Sequence, residues 1–265
     1  MNELNLTGWD AALIIVVTTQ SLALAYAETP RWKRLFMTLP FPFTLVVLSV
    51  GRPIDGSNFA SMIVLFAYTQ ICRILHTRLG IPIVPTIFIG VTTYAAIGWM
   101  MAGLFPSGNL AFWIACVVIV GLGIGLNHLL KSVPEVPYRT TLPLAVKLPA
   151  LLAISVLLVL LKNGLQGFAG FFPLVSVIAA YETRTSPWTL ARPVPVLMMT
   201  ITPMLIVTRL LQPTYGLGTG LAAGWVAFGL ALTVVWRQQG REIKNQSNNE
   251  SQGTEGKAFT PFTQE

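Results

Sequence analysis

Charged side chains are scarce in this chain. Only 10% of its 265 residues are Asp, Glu, Lys or Arg, whereas a soluble domain carries roughly a quarter. Apolar residues make up 54%, and the mean hydropathy is +0.67. This composition predicts that the chain lies in a lipid bilayer. The net charge of +7 does not indicate a nucleic-acid partner, because the cations lie between apolar runs, where they set membrane orientation.

Residues that carry chemistry are equally few. Cys72 and Cys116 lie inside apolar runs and have no redox or zinc-binding spacing. His76 and His128 have no carboxylate or cysteine at ligand spacing, so neither a metal nor a cofactor is predicted. The sequence has no Walker A loop, no HExxH and no nucleophile elbow. We therefore expect no enzyme and assign no catalytic residue.

Nine apolar runs are long enough to cross a bilayer, since about 17–25 helical residues span its core. They lie at 10–27, 35–50, 58–75, 82–104, 110–130, 143–161, 166–182, 193–211 and 217–236. The predicted fold class is all-α, a polytopic membrane protein with about nine transmembrane helices.

The connections between these runs alternate in charge. Those after the first, third, fifth, seventh and ninth runs carry most of the Lys and Arg residues. Because such residues favour the cytoplasmic side, we expect the N-terminus outside and the C-terminus inside. The polar segment 240–265 has too few apolar residues to build a core and is predicted to be a disordered cytoplasmic tail.

The two halves of the chain resemble each other. With a shift of 109 positions, the Leu-Pro pair at 39–40 aligns with that at 148–149, and the Phe-Ala pair at 59–60 aligns with that at 168–169. The sequence predicts an extra helix (1–30), a first four-helix repeat (31–138) and a second (139–239). Four crossings return each copy to its starting side, so the copies are predicted to be parallel. The alternative is a fused dimer whose seam is only packed.

Polar residues within the runs give few candidates for a site. Lys147 and Glu182 fall at the same predicted depth, where they either pair or let Lys147 extend to the interface. Arg209 lies near the outer end of the eighth run, where Asp10 or Asp55 is available to pair with it. No acidic residue lies at mid-depth in any run, so a proton relay built on Asp or Glu is not predicted.

Proline and glycine mark kinks and close contacts. Pro173 lies deep enough for a functional kink, and Ser176 follows it one turn later. Small residues spaced four apart predict close helix packing, between the copies or between protomers. These glycines are Gly121, Gly125, Gly216, Gly220 and Gly224.

The stretch 169–181, AGFFPLVSVIAAY, resembles the core of the GlpM-like small membrane proteins. That family has four helices per chain, with an Ala-Gly, Pro, Ser/Thr, Ala, Tyr pattern in the second helix. The first copy departs from it, because Ala60-Ser61 replaces Ala-Gly, and Leu65 and Phe66 lie where the Pro is expected. The resemblance implies a fused pair of units in a bacterial inner membrane. It also implies an association with export of an envelope polysaccharide.

The predicted function is a transport-type role for a small solute or a lipid-linked molecule at the seam between the copies. The residues predicted to line its path are Lys147, Glu182, Arg209, Pro173 and Ser176. The alternative is a structural or assembly subunit of a membrane complex. Transport predicts a polar or wet cavity at the seam, and a scaffold predicts a dry one. The partners expected are the bilayer and a second protomer or a membrane complex.

Overall fold

The structure is a computed structural model that describes residues 7–27, 29–106, 108–130, 143–184 and 188–255. Within these ranges every regular element is helical. The elements are α1 (Gly8–Tyr26), α2 (Pro30–Thr38), α3 (Phe41–Val50), α4 (Gly56–Thr77), α5 (Ile83–Ala102), α6 (Asn109–Leu129), α7 (Leu144–Leu165), a 3-10 segment (Gln166–Phe171), α8 (Leu174–Glu182), α9 (Trp188–Ala191) and α10 (Pro193–Glu255). The predicted all-α, polytopic membrane protein is confirmed at this level.

Seven helical stretches of the described chain are long and apolar enough to cross a membrane, where the sequence predicted nine. One difference is a stretch of 49 residues, Thr189–Arg237, which holds the two runs predicted last. Such a helix would be roughly 74 Å long if straight, far more than a bilayer core of about 30 Å. It breaks at Gly216, whose φ of 82° and ψ of 167° are not helical. Beyond the break Gly220 packs against Thr208, so the chain folds back as a hairpin.

The other difference is the seventh predicted run, 166–182, which is not one long helix. It consists of the 3-10 segment, a break at Phe172 and Pro173, and the nine-residue helix α8. Proline cannot donate a backbone hydrogen bond, and the glycines before it weaken helical order. The run is therefore apolar enough for a span but not continuous enough to count as one helix.

A second break separates α2 from α3 at Leu39 and Pro40. Pro40 and Pro42 are two positions apart, so a single helical turn lacks two backbone donors. The equivalent proline of the second half, Pro149, stands alone and lies inside the continuous helix α7. The two halves of the chain thus differ in the position of the break: it lies between α2 and α3 in the first half, and between α7 and α8 in the second.

Two clusters of buried charge mark opposite ends of the bundle. Asp10 near the start of α1 contacts Lys162 near the end of α7, and we call this the Asp10 end. Glu182 at the end of α8 contacts Lys147 near the start of α7, and we call this the Glu182 end. Because α8 ends beside the start of α7, the chain between them crosses the bundle and returns.

The predicted glycine contacts are only partly present within the chain. Gly220 and Gly224 pack against Thr208 and Met204, so they join the two arms of the α10 hairpin. Among the described residues nothing lies within 4 Å of the Cβ position at Gly121, Gly125 or Gly216. The glycine of α6 that does pack is Gly123, against Pro195, Met198 and Met199 of α10. Gly121 and Gly125 face outwards because they lie on the side of α6 opposite to Gly123.

Helix α10 continues to Glu255, and the prediction of a disordered tail from residue 240 stays a prediction. Residues 256–265 and the predicted boundary between the repeats at 138–139 lie outside the described residues.

Candidate functional site

The Glu182 end holds an ion pair buried between helices. Lys147 Nζ lies 2.9 Å from Glu182 Oε1, and the two side chains are 5% and 1% exposed. A lysine buried to this degree does not extend to the interface, which was the alternative considered for it. Tyr26 of α1 lies beneath it, with its ring centre 5.6 Å from the ammonium. That this pair lies on a substrate path stays a prediction.

A second ammonium group approaches the same carboxylate. Lys33 of α2 is 3% exposed and lies close enough to interact electrostatically with both Glu182 and Lys147. Both carboxylate oxygens of Glu182 are buried, and the Lys147 ammonium lies at ion-pair distance from Oε1. The cluster therefore relies on charge attraction in a medium of low dielectric constant.

The Asp10 end holds the other buried pair. Lys162 Nζ lies 2.5 Å from Asp10 Oδ1, with side chains 4% and 3% exposed. Ser49 of α3 donates to the same carboxylate oxygen at 2.6 Å and accepts from Lys162 at 2.5 Å. This network joins α1, α3 and α7. Lys162 was not among the predicted site residues.

Arg209 does not pair with either of the carboxylates predicted for it. Its Nη1 donates to the carbonyl of Ile54, and its guanidinium carbon lies 5.3 Å from the ring centre of Phe112. Gln212 accepts from the Ile54 amide at 3.3 Å, so α10 holds both backbone groups of that residue. Asp55 instead caps α4, where it accepts from the Ser57 amide at 2.9 Å. Arg209 therefore anchors the loop before α4.

A cavity of about 370 Å³ opens at the Asp10 end between α3, α4, α5 and the 3-10 segment. It lies on the predicted seam, because its walls come from both halves of the chain. Its volume is within the range of small-molecule sites. The polar residues of the wall are Arg52, Asp55, Ser57, Asn58 and Gln166. The wall thus offers a cation, a carboxylate, a hydroxyl and two amides beside apolar side chains.

Gln166, on the wall of this cavity, has an unusual backbone. Its φ of 51° and ψ of −124° are conformations that residues other than glycine rarely adopt. The strain falls where α7 ends and the chain turns into the 3-10 segment. Strained backbone of this kind is concentrated at functional sites. This strain could not be predicted from the sequence, because glutamine is not a residue that marks such a turn.

The 3-10 segment is held to the first half of the chain through its backbone carbonyls. Asn58 of α4 donates to the carbonyl of Gly167 at 3.1 Å, and Tyr94 of α5 donates to that of Phe168 at 2.8 Å. Both bonds satisfy groups that a regular α-helix would pair internally. The seam between the halves is therefore built from hydrogen bonds to broken helix as well as from apolar contact.

Gly167→Ala is expected to lower the free energy of unfolding by about 1–3 kcal/mol, as overpacking does in other cores. A Cβ at this position would overlap Ser57 Oγ and lie 3.0 Å from Ser57 Cβ. Thermal unfolding in detergent measures the effect. Gly103→Ala is the matched control, because Gly103 lines the same cavity and nothing lies within 4 Å of its Cβ position. Equal losses in the two variants would contradict this account of the seam.

The two breaks meet at a small second cavity in the middle of the bundle. Leu39 and Pro40 line it on one side, and Phe171 and Phe172 on the other. Ser176 is half-buried and lines it too, whereas Pro173 is buried and acts through the break that it causes. Of the predicted path residues, the structure thus places Lys147 with Glu182, and Ser176 beside the Pro173 break. Arg209 lies apart from them at the Asp10 end.

The described residues contain no group of three or more His, Cys, Asp or Glu side chains arranged to hold a metal ion. Cys72 and Cys116 are buried and not joined by a disulfide. No family model, curated protein or solved structure matches the chain. The apolar helices on their own therefore describe it as a multi-pass membrane protein.

Proposed function

We propose that this protein has a transport-type role and moves a small polar solute along the seam between its two halves. One observation carries the proposal: the cavity of about 370 Å³ at the Asp10 end, lined by polar residues and built by both halves. A polar wall contributed by both halves of the chain suits a path for a polar solute. Transport proteins bind their substrates at such seams between repeats.

The proposed architecture is an extra first helix followed by two parallel four-helix copies, giving nine crossings. The return of 166–182 towards the start of α7 and the hairpin at Gly216 support it. Charge distribution along the sequence supports an outward Asp10 end and a cytoplasmic Glu182 end. The bacterial inner membrane and the relation to GlpM-like proteins stay predictions from the resemblance.

The proposed path runs through three places along the seam. It begins at the large cavity, passes the small cavity where the two breaks meet, and ends at Lys147 and Glu182. Broken helices suit the middle of such a path, because transporters form their binding sites from interrupted helices. A buried ion pair lies at each end of the bundle.

The competing candidate is an assembly subunit of a membrane complex. It is favoured by the apolar packing across part of the seam, where the rings of Phe43 and Phe171 stack with centres 4.7 Å apart. Gly170 lies against the same Phe43 ring, so this contact is close. A scaffold predicts that this dry packing continues along the whole seam and that no solute enters it.

Cysteine labelling separates the two candidates. In a background with Cys72→Ala and Cys116→Ala, we expect Ser57→Cys and Ser176→Cys to react with a small, charged, membrane-impermeant thiol reagent, since both positions line cavities. Ser61→Cys is the matched control, because Ser61 is fully buried on the same helix as Ser57 and lines neither cavity. Labelling is measured in inside-out and right-side-out vesicles.

Transport predicts that Ser176→Cys reacts from both sides of the membrane, because alternating access opens the middle of the path to each side in turn. If Ser57→Cys and Ser176→Cys react no faster than Ser61→Cys, the seam is dry and the scaffold candidate replaces transport.

A further inference from the structure

The large cavity at the Asp10 end carries two opposite charges that are not joined to each other. Arg52, in the loop before α4, is exposed, and its guanidinium makes no hydrogen bond or ion pair with any residue that the structure describes. Asp55 lies three positions further on in the same wall, and among the described residues no cation lies within 4.0 Å of its carboxylate. Both charges are therefore open to a ligand that enters the cavity.

The Asp55 carboxylate is held in place by the start of α4. Its Oδ1 accepts from the Ser57 amide at 2.9 Å and from the Ser57 hydroxyl at 2.5 Å. The Asp55 amide donates in return to Asn58 Oδ1 at 3.0 Å. An ionised carboxylate has about four acceptor positions, so these bonds leave it able to accept from an ammonium group. A negative charge fixed in this way meets a ligand without first having to be ordered.

The rest of the wall adds an amide and an apolar surface. The side chain of Gln166 makes no hydrogen bond within the described part of the chain, and it offers both donors and an acceptor. It comes from the second half of the chain, at the turn where the backbone is strained. Apolar side chains complete the wall, namely Val46, Val47 and Val50 of α3 and Phe105 after α5. The cavity thus suits a solute that has charged groups and a small apolar body.

We propose that this cavity binds a small zwitterion, with its oxyanion on Arg52, its ammonium group on Asp55 and its apolar body against the valines of α3. Arginine suits the oxyanion, because its planar guanidinium donates two parallel hydrogen bonds to a carboxylate or a phosphate. An anion alone would meet the like charge of Asp55, and a cation alone would meet that of Arg52. A neutral solute would leave both charges without a partner. A zwitterion satisfies both.

The role of the zwitterion as a substrate rests on the proposed function, since the inference names the substrate class for the same cavity. A volume of about 370 Å³ accommodates an amino acid with an aliphatic side chain. The same two charged groups occur in the headgroup of phosphatidylethanolamine, where the oxyanion is a phosphate. The experiment therefore has one arm for a free solute and one for a lipid headgroup.

The test measures binding of ¹⁴C-labelled L-leucine to the purified full-length protein in nanodiscs of phosphatidylglycerol, whose headgroup has no ammonium group. Two competitors each lack one charge of leucine: 4-methylpentanoate has no ammonium group, and 3-methylbutylamine has no carboxylate. We expect saturable leucine binding, with each competitor about tenfold weaker than leucine, because one charge-assisted contact is lost.

The second arm uses O-phosphoethanolamine and nanodiscs that contain phosphatidylethanolamine. Binding is measured by displacement of leucine and by the thermal unfolding midpoint, which a bound ligand raises. If the lipid binds more tightly than O-phosphoethanolamine and leucine, the zwitterion site is supported and its ligand is a headgroup.

Two variants match each charge of the ligand to one residue. Arg52→Gln is expected to weaken leucine binding about tenfold without weakening 3-methylbutylamine, which has no oxyanion. Asp55→Asn is expected to weaken leucine similarly without weakening 4-methylpentanoate, and it keeps the fold because asparagine caps helices as well as aspartate. Arg78→Gln is the matched control, because Arg78 is an exposed arginine at the opposite end of α4 and does not line the cavity.

The proposal is overturned if none of the three zwitterions binds, if either single-charge competitor binds as tightly as leucine, or if Arg52→Gln binds leucine as tightly as Arg78→Gln. Saturable binding in a protein whose seam resists cysteine labelling would keep this site and remove transport. Labelling of Ser176→Cys from both sides without binding of a zwitterion would keep transport and remove this inference.

Discussion

Lys162→Met is expected to lower the free energy of unfolding by about 3–5 kcal/mol, the loss typical when one partner of a buried ion pair is removed. The substitution leaves the Asp10 carboxylate buried with its cation gone, while Ser49 still donates to it. Methionine has nearly the length of lysine, so little packing is lost with the charge. Thermal or denaturant unfolding in detergent micelles, followed by tryptophan fluorescence, measures the loss.

The double variant Lys162→Met with Asp10→Asn separates charge from packing. Neither buried charge remains, so the double variant should be more stable than Lys162→Met alone. Asn still accepts from Ser49, which preserves part of the network. If the two losses simply add, the attraction between these groups does not stabilise the Asp10 end, and the account of that end is wrong.

Glu182→Gln is expected to be more harmful than Lys147→Met at the opposite end of the bundle. Removing the carboxylate leaves the buried ammonium groups of Lys147 and Lys33 facing each other without it, and we expect a loss of about 3–5 kcal/mol. Removing Lys147 leaves Glu182 near Lys33, so a smaller loss is expected. The same unfolding measurement ranks the two variants.

A double-mutant cycle with Lys147→Met and Glu182→Gln tests the coupling directly. We expect non-additive losses, because the two atoms are at ion-pair distance. A matched cycle combines Glu182→Gln with Asp10→Asn, which lie at opposite ends of the bundle and should be additive. Additive losses in the first cycle would mean that Lys147 and Glu182 act independently.

Helical character and membrane residence could be predicted from the sequence, because both depend on local composition. The apolar run of α5 or α6 identifies a span wherever it stands in the chain. Whether a helix continues through a proline could not be predicted from local composition. Pro149 leaves α7 unbroken, whereas Pro40 breaks its helix, and the difference depends on a second proline and on Gln20, which is distant in sequence from that break.

The pairing of side chains was harder to predict than their depth. Lys147 and Glu182 were candidates for a pair because their predicted depths match, and the structure places them in contact. For Asp10, depth alone left several cations available, and the partner is Lys162 and not Arg209. The depth of a side chain in the membrane depends on its position along one helix. Its partner depends on how neighbouring helices rotate and pack. The periodicity of apolar residues hardly indicates that rotation when a helix is apolar on all sides.

The broken 3-10 segment has a consequence for the order of assembly during synthesis. Its carbonyls at Gly167 and Phe168 accept from Asn58 and Tyr94, which leave the ribosome earlier in the same chain. Hydrocarbon offers no substitute hydrogen-bond donor, so the segment is unstable in lipid by itself. Synthesis from the N-terminus delivers α4 and α5 first, and the segment then enters a bundle that already carries its donors. The first half thus acts as an intramolecular template on which the second half completes its fold.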